Sequence, residues 1–113
     1  MSRDDATLLD MLKAARLVVA FKGKLAKNAF LRDVKTQSAI LHQLLVIGEA
    51  VKRLSDEFRG QHSNIPWTRI AGMRDKLIHA YDAVDLDEGW KTVTKDIAPL
   101  ISFLERLVPQ EKA

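Results

Sequence analysis

The stretch AILHQLLVIGEAVKRLSDEF, residues 39–58, carries apolar side chains at three- and four-residue intervals. At 100° per residue, six of them fall within about 80° of arc on one face of a helix: Ile40, Leu44, Ile47, Val51, Leu54 and Phe58. Glu49 and Lys52 fall on the opposite face. The pattern predicts one long amphipathic helix that begins after Asp33, a favourable N-cap residue, and ends at Gly60.

Apolar stripes on either side of this segment predict further helices. The first helix begins near Asp4 or Asp5, either of which can cap it, and ends at Gly23. Its stripe consists of Leu8, Met11, Leu12, Ala15, Val18 and Val19. A short connector containing Phe30 and Leu31 follows. These features predict a helix, a connector and then the long second helix.

Two more helices are predicted in the second half of the chain. Pro66 suits the first position of a short third helix, which has a possible break at Gly72. Asp85 is the expected N-cap of the last helix, and Glu88 completes a capping-box pattern with it. Pro99 should kink this last helix, because proline removes a backbone donor and crowds the preceding turn.

The chain is therefore predicted to be an all-α protein, an antiparallel four-helix bundle formed by a single domain over residues 1–113. Leu41 and Leu45 widen the apolar face of the second helix beyond what one core needs. We expect this extra face to support a homodimer.

Composition excludes several classes of protein. The 113 residues are 47% hydrophobic and 29% charged, which is typical of a globular domain. The absence of cysteine excludes disulfides and a cysteine nucleophile. No apolar run is long enough for a membrane span, and the N-terminus does not resemble a secretory signal. A cytoplasmic protein is expected.

Charge and motif patterns leave few candidate sites. The net charge of +3 is mildly basic, with one basic cluster that is either a nucleic-acid patch or a solvated loop: Lys22, Lys24, Lys27, Arg32 and Lys35. The three histidines lack metal-site spacing. The acidic run near Asp85 has oxygens that suit a hard cation but no calcium-loop pattern, and helix capping explains at least two of its residues. The sequence contains no Gly-rich phosphate loop and no dinucleotide fingerprint. No metal and no cofactor are predicted.

The remaining candidate is the segment GMRDKLIHAY, residues 72–81. Arg74 is a permanent cation suited to phosphate oxygens, and His79 can exchange protons near neutral pH. On a helix, Asp75 would lie close enough to His79 to orient it, but Arg74 and His79 would lie about 140° apart. Either the arginine side chain swings round, or two copies of the helix meet and share a site.

The surrounding sequence resembles the HepT-like branch of the HEPN superfamily. The resemblance extends from about Asp4 to Val108 and is specific between Ile65 and Asp85. It is carried by Ile65-Pro66-Trp67, Ile70, the run 72–81 and Val84-Asp85, by Ile47-Gly48-Glu49-Ala50 and Lys52-Arg53-Leu54 upstream, and by Trp90 and Pro99-Leu100 downstream.

The resemblance implies a homodimeric helical bundle that acts as a metal-independent RNase toxin of a type VII toxin–antitoxin system. It implies that Arg74 and His79 are catalytic in a cleft between two chains, with Asp75 in support. It also implies a minimal nucleotidyltransferase antitoxin as partner, which neutralises the toxin by adding AMP to Tyr81. Asp75 and Asp82 depart from the residues common at these positions. The alternative is a non-catalytic HEPN binding module that partners a nucleotidyltransferase.

Overall fold

The computed structural model describes residues 2–72, 78–80 and 83–108, with the backbone alone for 78–80 and 83–84. These residues form a helical globule with one short hairpin. In chain order they are α1 (Arg3–Lys22), α2 (Lys27–Arg32), α3 (Val34–Arg53), α4 (Asp56–Gln61), α5 (Trp67–Ala71), β1 (Ile78–Ala80), β2 (Ala83–Val84), α6 (Leu86–Lys95) and α7 (Ile97–Leu107). The helical class is confirmed. The expected strand-free chain of four helices is wrong, because three of those segments are divided and the connector is itself helical.

Helix α1 ends at Gly23 as expected, but its N-cap is Ser2 rather than Asp4 or Asp5. Ser2 is the N-cap: its hydroxyl accepts a hydrogen bond from the Asp5 backbone N–H, and the Asp5 carboxylate accepts one from the Ser2 backbone N–H. Asp5 therefore completes a capping box rather than starting the helix. Gly23 follows the last turn at φ 53°, a conformation that glycine adopts without a Cβ penalty.

The core lies between α1, α3 and α7, with α5 packed against α3. Its largest fully buried side chains include residues from the stripes predicted in α1 and α3: Leu8, Met11, Val18, Ile40, Leu44, Ile47 and Val51. Val19 was expected in the α1 stripe but is 50% exposed, so the stripe is not buried over the whole length of the helix. The stripes thus fix which faces of these helices are buried.

The connector between α1 and α3 is a helix rather than a loop. Phe30 on α2 is fully buried and its ring lies 5.3 Å from that of Trp90. The buried side chain of Gln37 donates a hydrogen bond to the Phe30 carbonyl at 2.9 Å. Asp33 caps α3 as predicted, accepting from the Thr36 backbone N–H. These contacts hold α2 against α3 and α6.

The long second helix predicted to run to Gly60 ends at Arg53. Leu54 is buried with extended backbone, and Ser55 then caps the new helix α4, in which Gly60 is an internal residue. Asp4 accepts hydrogen bonds from the Ser55 backbone N–H and hydroxyl, which joins the start of α1 to the end of α3. Helices α1 and α3 are therefore antiparallel, and this long-range contact favours the break.

The last predicted helix is divided at Asp96. Asp96 ends α6, its N–H bonding to the Thr92 carbonyl, and precedes α7. Pro99 lies three residues later and cannot bond back to Lys95, so the helix is interrupted near the proline, where a kink was predicted, although Asp96 itself keeps helical backbone angles. The cap by Asp85 is also confirmed, since its carboxylate accepts from the Glu88 N–H at 3.0 Å.

Candidate active site

The segment that carries the candidate catalytic residues follows α5, and α5 is firmly anchored. Trp67 and Ile70 are buried, and the Trp67 indole N–H donates to the His62 carbonyl at 2.9 Å. The Trp67 ring lies 5.7 Å from Phe103 on α7 and 6.0 Å from Phe58 on α4. This aromatic cluster fixes the point from which the chain enters residues 73–84.

The prediction that one helix runs from Gly72 to Tyr81 is wrong where the structure tests it. Helix α5 ends at Ala71 with Gly72 as its C-cap, and His79 lies in strand β1. The antiparallel pairing joins Ile78 to Val84 and Ala80 to Ala83. Ile78 and Val84 are β-branched and suit an extended pair. The helical angles used to relate His79 to its neighbours therefore do not apply.

Of the predicted site residues, the structure places only the backbone of His79. Arg74, Asp75 and Tyr81 lie outside the described residues, as does Asp82. Gly72 is fixed at one end of the segment, and Asp85, as the cap of α6, is fixed at the other. The segment that contains the motif is therefore bounded by the end of α5 on one side and the start of α6 on the other.

A second anchor holds α5 to the α6–α7 junction. The Arg69 guanidinium on α5 forms an ion pair with the Asp96 carboxylate. The hydrogen bond and charge of Asp96 raise the pKa of Arg69 above its ordinary value. The pair spans 27 residues of sequence and links the helix before the motif to the helix pair after it.

An open cavity of about 860 Å³ adjoins the start of the motif. Its polar lining consists of Arg59, Ser63, Thr68 and Arg69, and Ile65, Pro66, Trp67 and Gly72 complete it. No sequence pattern pointed to these polar residues. Arg59 and Arg69 belong to different helices and have no motif spacing, so their convergence appears only after folding.

The basic cluster near the α1–α3 connection is partly used in structural contacts. The Lys22 ammonium lies 5.3 Å from the centre of the Trp90 ring, and Lys27 pairs with Asp87 at 3.1 Å. Arg32 and Lys35 are exposed. The cluster is therefore, at least in part, a surface that joins α1 and α2 to α6.

Comparison with known proteins identifies the family. The family model described as ribonuclease HepT-like matches residues 11–107. The chain belongs to the HepT-like ribonuclease family. The HepT-like match includes α3, α5, the motif segment and all of α7, which are the elements that frame the candidate site.

Individual relatives of this HepT-like chain cover most of its length. It is 44% identical over 100 residues to a protein of Thermococcus cleftensis named probable ribonuclease HepT, covering 88% of this chain and 91% of that one. It is 45% identical over 83 residues to a candidate RNase of Caldanaerobacter subterraneus subsp. tengcongensis, covering 74% of each. A candidate RNase of Methanocaldococcus jannaschii is 35% identical over 103 residues, covering 91% and 85%. No solved structure matches the chain.

Two kinds of feature are absent from the described residues. Within residues 2–72, 78–80 and 83–108, no helix combines the length and apolar character that crossing a membrane requires. Over the same part of the chain, no group of three or more histidine and acidic residues is arranged to hold a metal ion.

Proposed function

We propose that this HepT-like protein is a metal-independent endoribonuclease toxin of a type VII toxin–antitoxin system. The observation that carries the proposal is the family match over residues 11–107, which includes the sequence Arg74-x4-His79-x-Tyr81. Two copies of the chain form one cleft in which Arg74 and His79 act on RNA.

The chemistry follows from the two side chains. His79 takes the proton of a ribose 2′-hydroxyl, whose oxygen attacks the adjacent phosphorus. Arg74 neutralises the charge that grows on the phosphorane oxygens. The bond from phosphorus to the 5′-oxygen breaks, the leaving oxygen takes up a proton, and a 2′,3′-cyclic phosphate remains. Asp75 supports the orientation of His79. The nucleophile is supplied by the RNA, so this step requires no metal.

Cleavage of single-stranded RNA by the purified protein, in the presence of EDTA, tests the proposal. The wild-type chain should cleave RNA and leave 2′-deoxy DNA of the same sequence intact. His79→Ala should reduce cleavage at least about 100-fold, the lower range for loss of a general base. His42→Ala is the matched control, because His42 is exposed on α3 and far from the motif in sequence.

Two results would overturn the nuclease proposal. One is equal cleavage by wild type and His79→Ala. The other is RNA binding without any cleavage by the wild type, which would favour a non-catalytic module that partners a nucleotidyltransferase. A mass of one chain in light scattering at micromolar concentration would contradict the two-chain cleft.

Regulation is proposed to act at Tyr81. AMP attached there adds a negative charge and bulk beside the site that must receive a phosphate. Tyr81 is the single tyrosine of the chain, so a tyrosine-linked product can arise at one position. Incubation with the cognate nucleotidyltransferase and ATP should add one or more AMP units, detected by intact mass, and should stop cleavage. A mass gain that persists in Tyr81→Phe would contradict this assignment.

A further inference from the structure

The cavity beside α5 combines positive charge with hydrogen-bonding side chains. Four residues of its lining are polar, namely Arg59, Ser63, Thr68 and Arg69, and the other four are Ile65, Pro66, Trp67 and Gly72. Its volume, about 860 Å³, lies within the range of about 300–1,000 Å³ typical of ligand sites. This chemistry suits a ligand rich in phosphate oxygens.

Both arginines are within reach of solvent despite their ion pairs. The Arg59 side chain is 32% exposed and pairs with Asp56, which is 97% exposed. The Arg69 side chain is 54% exposed and pairs with Asp96, which is 18% exposed. The Arg59–Asp56 pair is solvent-exposed and contributes little to stability, whereas the Arg69–Asp96 pair leaves about half of the Arg69 side chain open to a further partner. A phosphate can therefore replace or share the carboxylate partner, and the planar guanidinium can bind it through two hydrogen bonds.

The position of the cavity connects it to the motif. Gly72 lies in the lining and precedes Arg74 by two residues. Since successive Cα atoms are about 3.8 Å apart, the Cα of Arg74 is at most about 7.6 Å from that of Gly72. A strand of RNA held in the cavity would therefore be within reach of Arg74.

We propose that this cavity is a subsite for the sugar–phosphate backbone of single-stranded RNA, beside the phosphodiester that is cleaved. Arg59 and Arg69 bind phosphate oxygens, and Ser63 and Thr68 bind phosphate or ribose oxygens. Because the proposed contacts are to phosphate and ribose oxygens, the subsite is insensitive to base identity. The inference rests on the proposed nuclease function for its place in the reaction.

The test measures binding separately from cleavage. Fluorescence anisotropy follows a labelled single-stranded RNA with 2′-O-methyl groups, which lacks the nucleophile and stays intact. Arg59→Gln combined with Arg69→Gln should weaken binding by about tenfold or more. It should also reduce the slope of log affinity against log salt concentration by about 1.4, which corresponds to two phosphate contacts on a single strand.

Two matched double variants separate binding from folding and from net charge. Asp56→Asn with Asp96→Asn removes the same ion pairs but keeps both guanidinium groups, and should bind the RNA at least as tightly as wild type. Arg3→Gln with Arg106→Gln removes the same charge from exposed positions on α1 and α7, and should leave the salt slope unchanged. Melting temperatures of all variants show which of them remain folded.

Three outcomes decide against the subsite. It is overturned if the wild-type chain does not bind the RNA, if the Arg59 and Arg69 variant binds normally, or if either matched variant loses as much affinity. Binding that depends on Arg59 and Arg69 in a protein that cleaves no RNA would overturn the nuclease proposal and leave the subsite standing.

Discussion

Ser55 and Asp4 are 51 residues apart in the chain and are joined by two hydrogen bonds. The Ser55 backbone N–H donates to one Asp4 carboxylate oxygen at 3.0 Å, and the Ser55 hydroxyl donates to the other at 2.7 Å. The same hydroxyl accepts from the Phe58 N–H as the N-cap of α4. The Ser55 side chain thus caps α4 and links it to the first turn of α1.

Replacing Ser55 by alanine should destabilise the protein by about 1 kcal/mol, the usual cost of losing an N-cap side chain. The change also removes one of the two bonds to Asp4. Chemical denaturation measures the free energy of unfolding. Ser102→Ala, at an exposed position within α7, is the control and should alter it much less. Equal effects of the two changes would contradict the role of Ser55.

The stabilising effect of Asp4 should depend on pH in the acid range. Hydrogen bonds from the Ser55 side chain and backbone lower the pKa of Asp4 below its ordinary value of 3.8. The charged carboxylate therefore stabilises the fold above about pH 3.8, and this contribution is lost as pH falls through the lower folded-state pKa.

Melting temperatures of wild type and Asp4→Asn between pH 2.5 and 7 measure this effect. The difference between the two proteins should be constant near neutral pH and should shrink in the acid range. A difference that stays unchanged down to pH 2.5 would show that the charge on Asp4 does not matter. Asp10→Asn, also on α1 and exposed, is the control.

Two glycines should respond in opposite directions to replacement by alanine. Gly23 has φ 53°, so Gly23→Ala should cost about 1 kcal/mol. Gly60 lies inside α4 with no atom within 4 Å of an added Cβ, so Gly60→Ala should stabilise by about 0.5–1 kcal/mol. Denaturation curves of both variants give the two signs, and a shared sign would be inconsistent with these backbone conformations.

Loss of the buried Gln37 amide should lower the free energy of unfolding. Its amide donates to the Phe30 carbonyl at 2.9 Å, and Gln37→Leu would leave that carbonyl without this donor. The expected loss is about 1–3 kcal/mol. Gln43→Leu, at a half-buried position on the same helix, is the matched change. An equally small effect at both positions would contradict the importance of this hydrogen bond.

Under the nuclease proposal, the positive charge of Arg74 and its planar guanidinium shape should contribute separately to cleavage. Lysine keeps the positive charge but lacks the planar fork that binds two phosphate oxygens, so Arg74→Lys should retain more cleavage than Arg74→Ala and less than wild type. Initial rates of RNA cleavage under EDTA rank the three proteins. Equal rates for Arg74→Ala and wild type would remove Arg74 from the mechanism.

The sequence by itself determined the helical class and the buried faces of α1 and α3. It also determined three local boundaries: the end of α1 at Gly23 and the caps by Asp33 and Asp85. These features depend on residues within a turn or two of one another, so apolar periodicity and capping chemistry predict them. The motif Arg74-x4-His79-x-Tyr81 is likewise a property of the sequence alone.

Only the tertiary structure decided where helices break and which distant side chains converge. The break before Ser55 involves Asp4, and α5 is held by the pairing of Arg69 with Asp96. In the folded protein His79 lies in strand β1, where a helix was expected. Local helix preferences amount to less than about 1 kcal/mol per residue, so contacts between distant segments override them. No local pattern records such contacts, because the partners are brought together only when the chain folds.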